Sequence, residues 1–168
     1  NENFERFDFN HPIYILYSSG TTGKPKCIAH GTGNVLIEHN KEFMLHCDVK
    51  EKEKLFYFTT TGWMMWNWLV GGLATGSSIF LYDGSPTYPK IDILLKHCQD
   101  KKINFFGVSA KYIDHLKNEN FNSKNLDLSS IKIITSTGSP LAEESFKYVY
   151  ENIKQDVHLA SIAGGTDM

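Results

Sequence analysis

The chain of 168 residues carries only three cysteines, Cys27, Cys47 and Cys98. They are odd in number and far apart. That excludes a disulfide framework and zinc-ligand spacing, and it points to free thiols in a reducing cytoplasm. The acidic, polar N-terminus shows no signal peptide. Net charge is −2 and the basic residues are scattered. The largest basic cluster, Lys50 to Lys54, is interrupted by Glu51 and Glu53, so it reads as a solvated loop and not as a nucleic-acid stripe. There is no G-x-G-x-x-G after an apolar run, which excludes the common dinucleotide fingerprint. No Ser-His-Asp set, internal repeat or low-complexity tract is visible. Gly62 to Tyr82 lacks charge and is long enough to span a bilayer, but Asn67, Gly71-Gly72 and Thr75-Gly76-Ser77-Ser78 break it. A buried helix, a turn and a buried strand fit that segment better than a membrane span.

What is present is an ordinary globular composition, 41% hydrophobic and 21% charged, enough for one core. One loop stands out. Ser18-Ser19-Gly20-Thr21-Thr22-Gly23-Lys24-Pro25-Lys26 packs four hydroxyls, two glycines and two lysines into nine residues after the apolar run Ile13 to Tyr17. Glycines let backbone N–H groups approach an anion closely. Hydroxyls add donors, and lysine adds a point charge. The spacing is not that of the common P-loop, because two residues separate Gly20 from Gly23 and Pro25 follows Lys24.

Apolar runs and helical spacings alternate along the chain. Strands are expected at Ile13–Tyr17, Cys27–His30, Leu55–Phe58, Ser78–Tyr82, Ile103–Val108, Ile131–Thr135 and Val157–Ile162. Helices are expected at Asn34–His46, with Leu36, Asn40, Phe43, Met44 and Cys47 toward one side, at Trp63–Ala74, and at Ile91–Lys101, where Ile91, Leu94, Leu95 and Cys98 share a face. Two more follow: one capped by Ser109 and running to about Lys117, and one started by Ser139-Pro140, with Glu143 and Glu144 near its positive end. Repeated strand–helix units imply an α/β fold, a largely parallel sheet with helices on both faces. Loops rich in glycine or hydroxyls end four of the strands: Ser18–Lys26, Thr59–Trp63, Ser136–Pro140 and Gly164–Asp167. Ligands of open parallel sheets bind at the carboxyl ends of the strands, so four such loops meeting there make one nucleotide site.

The string SSGTTGKPK resembles the phosphate signature of the adenylate-forming superfamily of acyl-CoA synthetases, luciferases and peptide-synthetase adenylation domains. Phe58-Thr59-Thr60-Thr61-Gly62-Trp63-Met64-Met65-Trp66-Asn67 and Leu81-Tyr82-Asp83-Gly84-Ser85-Pro86 resemble acetoacetyl-CoA synthetases within it. The resemblance runs over nearly the whole chain and implies part of the large N-terminal, AMP-binding domain, with a C-terminal lid domain outside these residues. It places Ser18, Ser19, Gly20, Thr21, Thr22, Gly23, Lys24 and Lys26 on the ATP phosphates, and Gly138-Ser139-Pro140 along adenine. Capping explains Ser139 equally well. Trp63 and Trp66 are placed at the acyl pocket, or in the core, and Gly164 and Gly165 line that pocket. Thr166 and Asp167 resemble the pair that touches the α-phosphate and holds Mg²⁺, a hard cation that wants carboxylate oxygen. Thr166 and Lys26 carry the catalytic roles. His30 is either a structural histidine or one that approaches the site.

The implied reaction activates acetoacetate with ATP and then forms the thioester with coenzyme A. Other short- or medium-chain acyl-CoA synthetases and a non-catalytic nucleotide-binding module are the alternatives. Thr59 to Trp68 contains no acidic residue, which argues against an amino-acid substrate. The start on Asn1 and the stop at Met168, directly after Gly164-Gly165-Thr166-Asp167, read as a piece of a longer protein, inactive alone. Oligomeric state is not legible.

Overall fold

A computed structural model describes residues 3–18 and 23–165. Five strands form one parallel sheet in the order β4-β3-β5-β6-β7. They are β3 (Lys54–Tyr57), β4 (Ser78–Phe80), β5 (Phe105–Ser109), β6 (Ile133–Thr137) and β7 (His158–Ser161). The two earlier strands, β1 (Pro12–Ser18) and β2 (Lys26–Gly31), do not join it. They pair antiparallel as a separate hairpin with Ser18 opposite Lys26. The expected strands are therefore present, but β1 and β2, which hold the first and last residues of SSGTTGKPK, pair with each other and not within the parallel sheet.

Alternation along the strands sorts the core into two layers. Leu55, Tyr57, Phe105 and Ile133 point to one face, where they pack with Phe43, Val49, Met65, Trp68 and Leu69. Phe43 comes from the wider π turn that continues α1 (Thr32–Lys41) to His46, Val49 from the loop before β3, and Met65, Trp68 and Leu69 from α2 (Met64–Gly71). Phe56, Phe106 and Ile134 point to the other face and pack with Leu94, Cys98, Ile113, Leu116, Tyr148 and Val149. Those belong to α3 (Ile93–Lys101), α4 (Ala110–Asn118) and α5 (Glu143–Tyr148) with the π turn that extends it. Helices thus cover both faces, as the strand–helix pattern implies.

Local signals explain most boundaries. The Ser109 hydroxyl accepts from the Tyr112 N–H at 3.3 Å and caps α4. A left-handed Lys102 ends α3. The chargeless segment from Gly62 resolves into α2, a short 3₁₀ turn (Gly72–Thr75) and β4, and no described helix is long and apolar enough to cross a membrane.

Two expectations are corrected. The buried side of α1 and its extension is Val35, His39 and Phe43, while Leu36 and Met44 are exposed. The last helix does not begin at Ser139-Pro140. Its N-cap is Ala142, in extended conformation and without a side-chain bond. The reason lies one residue past the proline. Leu141 is buried in the core and its N–H goes to the Ser161 hydroxyl at 3.1 Å, which holds the segment extended until Glu143.

Candidate active site

The carboxyl ends of β6 and β7, with Trp63 after β3 and the start of α2, line one cleft of about 1290 Å³. Its sheet floor is Ile133, Thr135 and Thr137 of β6 with His158, Ala160 and Ile162 on and after β7. Trp63, Met64, Met65 and Trp68 form one wall, and Tyr14, Leu16 and His30 of the hairpin face them. The rim consists of Gly138, Ser139 and Pro140 together with Gly164 and Gly165.

Backbone geometry builds that rim. The Ile162 N–H donates to the Ser136 carbonyl at 2.8 Å, and the Thr137 hydroxyl donates to the Ile162 carbonyl at 3.2 Å, so β6 and β7 stay clamped to their ends. Gly138 then turns with φ +90°, a conformation a side chain disfavours. A Cβ on Gly138 or Gly164 would meet nothing within 4 Å. Both glycines border open space.

Of the sequence-predicted residues, the fold brings Trp63, Gly138, Ser139, Pro140, Gly164 and Gly165 to the one cleft. Trp66 faces elsewhere, onto a smaller hollow of about 420 Å³ with Ile13, Tyr14 and Asn67. Ser18 is half-buried at the end of β1, and Gly23, Lys24 and Lys26 are exposed at the hairpin turn. Ser19, Gly20, Thr21, Thr22, Thr166 and Asp167 lie outside the described residues. The sequence reading missed Met64, Met65 and Trp68, which line the wall beside Trp63, and Thr135 and Thr137 on the floor. Their signal is period-two alternation on β6 and helical spacing on α2, which becomes informative once the cleft-facing side of the sheet is known.

The electrostatics are those of a half-apolar cleft. Burial, aided by Glu42, pushes the Cys47 thiol up to about 11, so it stays protonated at neutral pH. Burial lowers the His39 pKa against the opposing pull of Glu42 and Glu38. The His30 Nε2 is buried without a protein hydrogen-bond partner among the described residues, and its ring lies 5.2 Å from that of Tyr14. Among the described residues no three His, Cys, Asp or Glu side chains gather as a metal cage.

The AMP-binding enzyme family matches residues 2–165. Over 98% of its length the chain is 55% identical to an acetoacetyl-coenzyme A synthetase of Rhizobium meliloti and 48% identical to an acetoacetyl-CoA synthetase of Gallus gallus, covering 26% and 25% of those proteins. It is 43% identical to a malonamoyl-CoA synthetase of Penicillium aethiopicum. The solved acetoacetyl-CoA synthetase of Streptomyces lividans superposes over 98% of the chain and 26% of its own, at TM-score 0.91 and 42% identity. A luciferase-like enzyme of Zophobas morio shares the fold at TM-score 0.78 and 21% identity, over 96% of this chain and 36% of its own. The chain therefore spans about a quarter of the length of its acetoacetyl-CoA synthetase relatives, and it belongs to the AMP-binding enzyme family.

Proposed function

We propose that this chain is part of the N-terminal adenylation domain of an ATP-dependent acid–thiol ligase that converts acetoacetate into acetoacetyl-CoA, AMP and pyrophosphate. The observation that carries this reading is the convergence of Trp63, Gly138–Pro140 and Gly164–Gly165 on one cleft at the carboxyl ends of parallel strands. The relatives' names supply the acyl group. Acetoacetyl and malonamoyl groups share one feature, a carbonyl at C3, and acetoacetate is the acid named in most of them.

The residues fit the ligands. The cleft exceeds the size usual for small-molecule sites, about 300–1,000 Å³. The open faces of Gly138 and Gly164 let a flat base and a phosphoester approach backbone. The resemblance assigns Ser18, Ser19, Gly20, Thr21, Thr22, Gly23, Lys24 and Lys26 to the β- and γ-phosphates, and Thr166 to the α-phosphate. Magnesium in nucleotide sites needs only one or two carboxylates and completes its shell with phosphate oxygens and water, so Asp167 is a sufficient protein ligand. When bound, the ion neutralises phosphate charge.

The chemistry is a displacement at phosphorus followed by acyl transfer. A carboxylate oxygen attacks the α-phosphorus, and the bond to the bridging oxygen breaks with pyrophosphate leaving. The sulfur of coenzyme A then attacks the acyl carbon, losing its proton as AMP departs. Catalysis is positioning and charge stabilisation, and it needs no protein nucleophile. The free Cys27, Cys47 and Cys98 suit a cytoplasmic enzyme. The full-length protein is tested by pyrophosphate exchange into ATP with acetoacetate, acetate, 3-hydroxybutyrate, hexanoate and amino acids. Strongest exchange with acetoacetate is expected. Preference for another acid would move the substrate, and no exchange with any acid would end the adenylating reading. The 168-residue chain alone is expected to give none.

A further inference from the structure

Four residues stand in register across the cleft face of the sheet: Tyr57 on β3, Gly107 on β5, Thr135 on β6 and Ala160 on β7. The row beneath them, Leu55, Phe105, Ile133 and His158, is filled by larger side chains. The Tyr57 row has a gap at Gly107, and the tyrosine fills it. A Cβ on Gly107 would lie 2.1 and 2.3 Å from two carbons of the Tyr57 ring, so the ring rests on the backbone of β5. Trp63 and Trp68 close over it, with ring centroids at 6.4 and 6.0 Å. The ring thereby reaches across β5 toward Thr135.

Tyr57 and Thr135 are each 2% exposed. Neither hydroxyl makes a well-formed hydrogen bond among the described residues, although Thr135 lies near enough to Tyr57 to act on its phenol. Two hydroxyls placed together in an apolar layer without partners are costly for folding, because buried polar groups are normally satisfied. Thr135 nevertheless lines the cleft, between Ile133 and Thr137. Thr137, one step nearer the rim, already donates to the Ile162 carbonyl. Burial raises the Tyr57 pKa and the nearby Thr135 hydroxyl offsets part of the rise, so the phenol remains a proton donor at neutral pH.

We propose that Thr135, backed by the Tyr57 ring that lies across Gly107, is the hydrogen-bonding floor of the acyl pocket and selects carboxylates with a carbonyl oxygen at C3. The inference rests on the acyl-activating reading above and deepens it. A 3-oxo acid satisfies the buried donor. The same chain with a methylene at C3 leaves the donor unpaired in an apolar layer, and a site built this way rejects the unpaired analogue. Tyr57 is a positioning residue; Thr135 makes the contact.

The test uses the full-length protein and compares kcat/KM for pyrophosphate exchange with acetoacetate and with butyrate, which differ only at C3. Thr135→Val keeps the shape and removes the hydroxyl. It is expected to lower the acetoacetate-to-butyrate ratio roughly 10- to 100-fold. Tyr57→Phe should lower the ratio several-fold, and Thr135→Ser should keep it. A purely structural role would move both acids together and leave the ratio unchanged, and that result would overturn the proposal. If Thr135→Val does not fold, Tyr57→Phe carries the test by the same ratio. Failure of the underlying reading shows separately, in the unmutated protein, as no exchange with either acid, and that also overturns the proposal.

Discussion

The hydroxyl of Ser161, the last residue of β7, accepts a hydrogen bond from the backbone N–H of Leu141 at 3.1 Å. The bond ties two loops of the cleft rim. It anchors the chain after Gly138–Pro140 and delays α5 until Glu143. Ser161→Ala is expected to cost about 0.5–1.5 kcal/mol of stability, the net value of a hydrogen bond. It should also raise KM for ATP several-fold in the full-length protein while Ser161→Thr stays near wild type. Steady-state kinetics at varied ATP with saturating acetoacetate read the effect. An unchanged KM would mean that the rim keeps its shape without the bond.

Much of the fold was legible because strands and helices declare themselves locally. Ile103 to Val108 is too apolar to lie elsewhere than in a core, and Ser109 announces the helix it caps. Partnership between strands is not local. Ile13 to Tyr17 looks like a buried parallel strand, yet Ile13, Ile15 and Tyr17 are exposed and the strand pairs only with β2. Ser139-Pro140 carries a sound helix-start signal, but burial of Leu141 overrides it. The residues at the cleft rim were legible because glycines and hydroxyls mark strand ends. The floor was not. Thr135 becomes a candidate only after the register sets it opposite Gly107 and within reach of Tyr57.

Gly107→Ala tests whether that register is a constraint. The added methyl would sit within 2.3 Å of the Tyr57 ring, which Trp63 and Trp68 hold from above. Overpacking of this kind costs about 1–3 kcal/mol. The urea midpoint of the variant should fall accordingly. The double variant Gly107→Ala, Tyr57→Leu should recover part of the loss, because removing the ring removes the clash. No recovery would place the strain elsewhere in β5.

His39 should give the protein a pH-dependent stability. His39 is 7% exposed, and its ring lies against Gly71, where a Cβ would come within 2.1 Å of Nδ1. Burial lowers its pKa below 6.5; Glu42 and Glu38 oppose that shift, and His30 adds to it. The unfolded chain therefore binds the proton more readily than the folded one, and stability rises with pH in that window. It is full above the unfolded value near 6.5 and is lost as pH falls from there toward the folded pKa. Thermal melting of the full-length protein between about pH 5 and 8 should show this slope, and His39→Gln should flatten it. An identical slope in the variant would assign the dependence to other groups.

Asp167 carries the sharpest prediction about the metal. On the proposed reading it is the protein's carboxylate for Mg²⁺, and no described cluster of three ligands stands ready to replace it. A site that relies on one carboxylate and on phosphate oxygens binds the ion together with the nucleotide. Chelation should therefore abolish pyrophosphate exchange, and added Mg²⁺ should restore it fully. Asp167→Asn should raise the Mg²⁺ concentration needed for half-maximal exchange and lower the maximal rate, by roughly 10²-fold where one carboxylate stabilises the transferring group. Asp167→Glu, one methylene longer, should retain more activity than Asn because the charge is kept. Equal losses for Asn and Glu would point to geometry, and an unchanged Mg²⁺ requirement in both would remove Asp167 from the metal site.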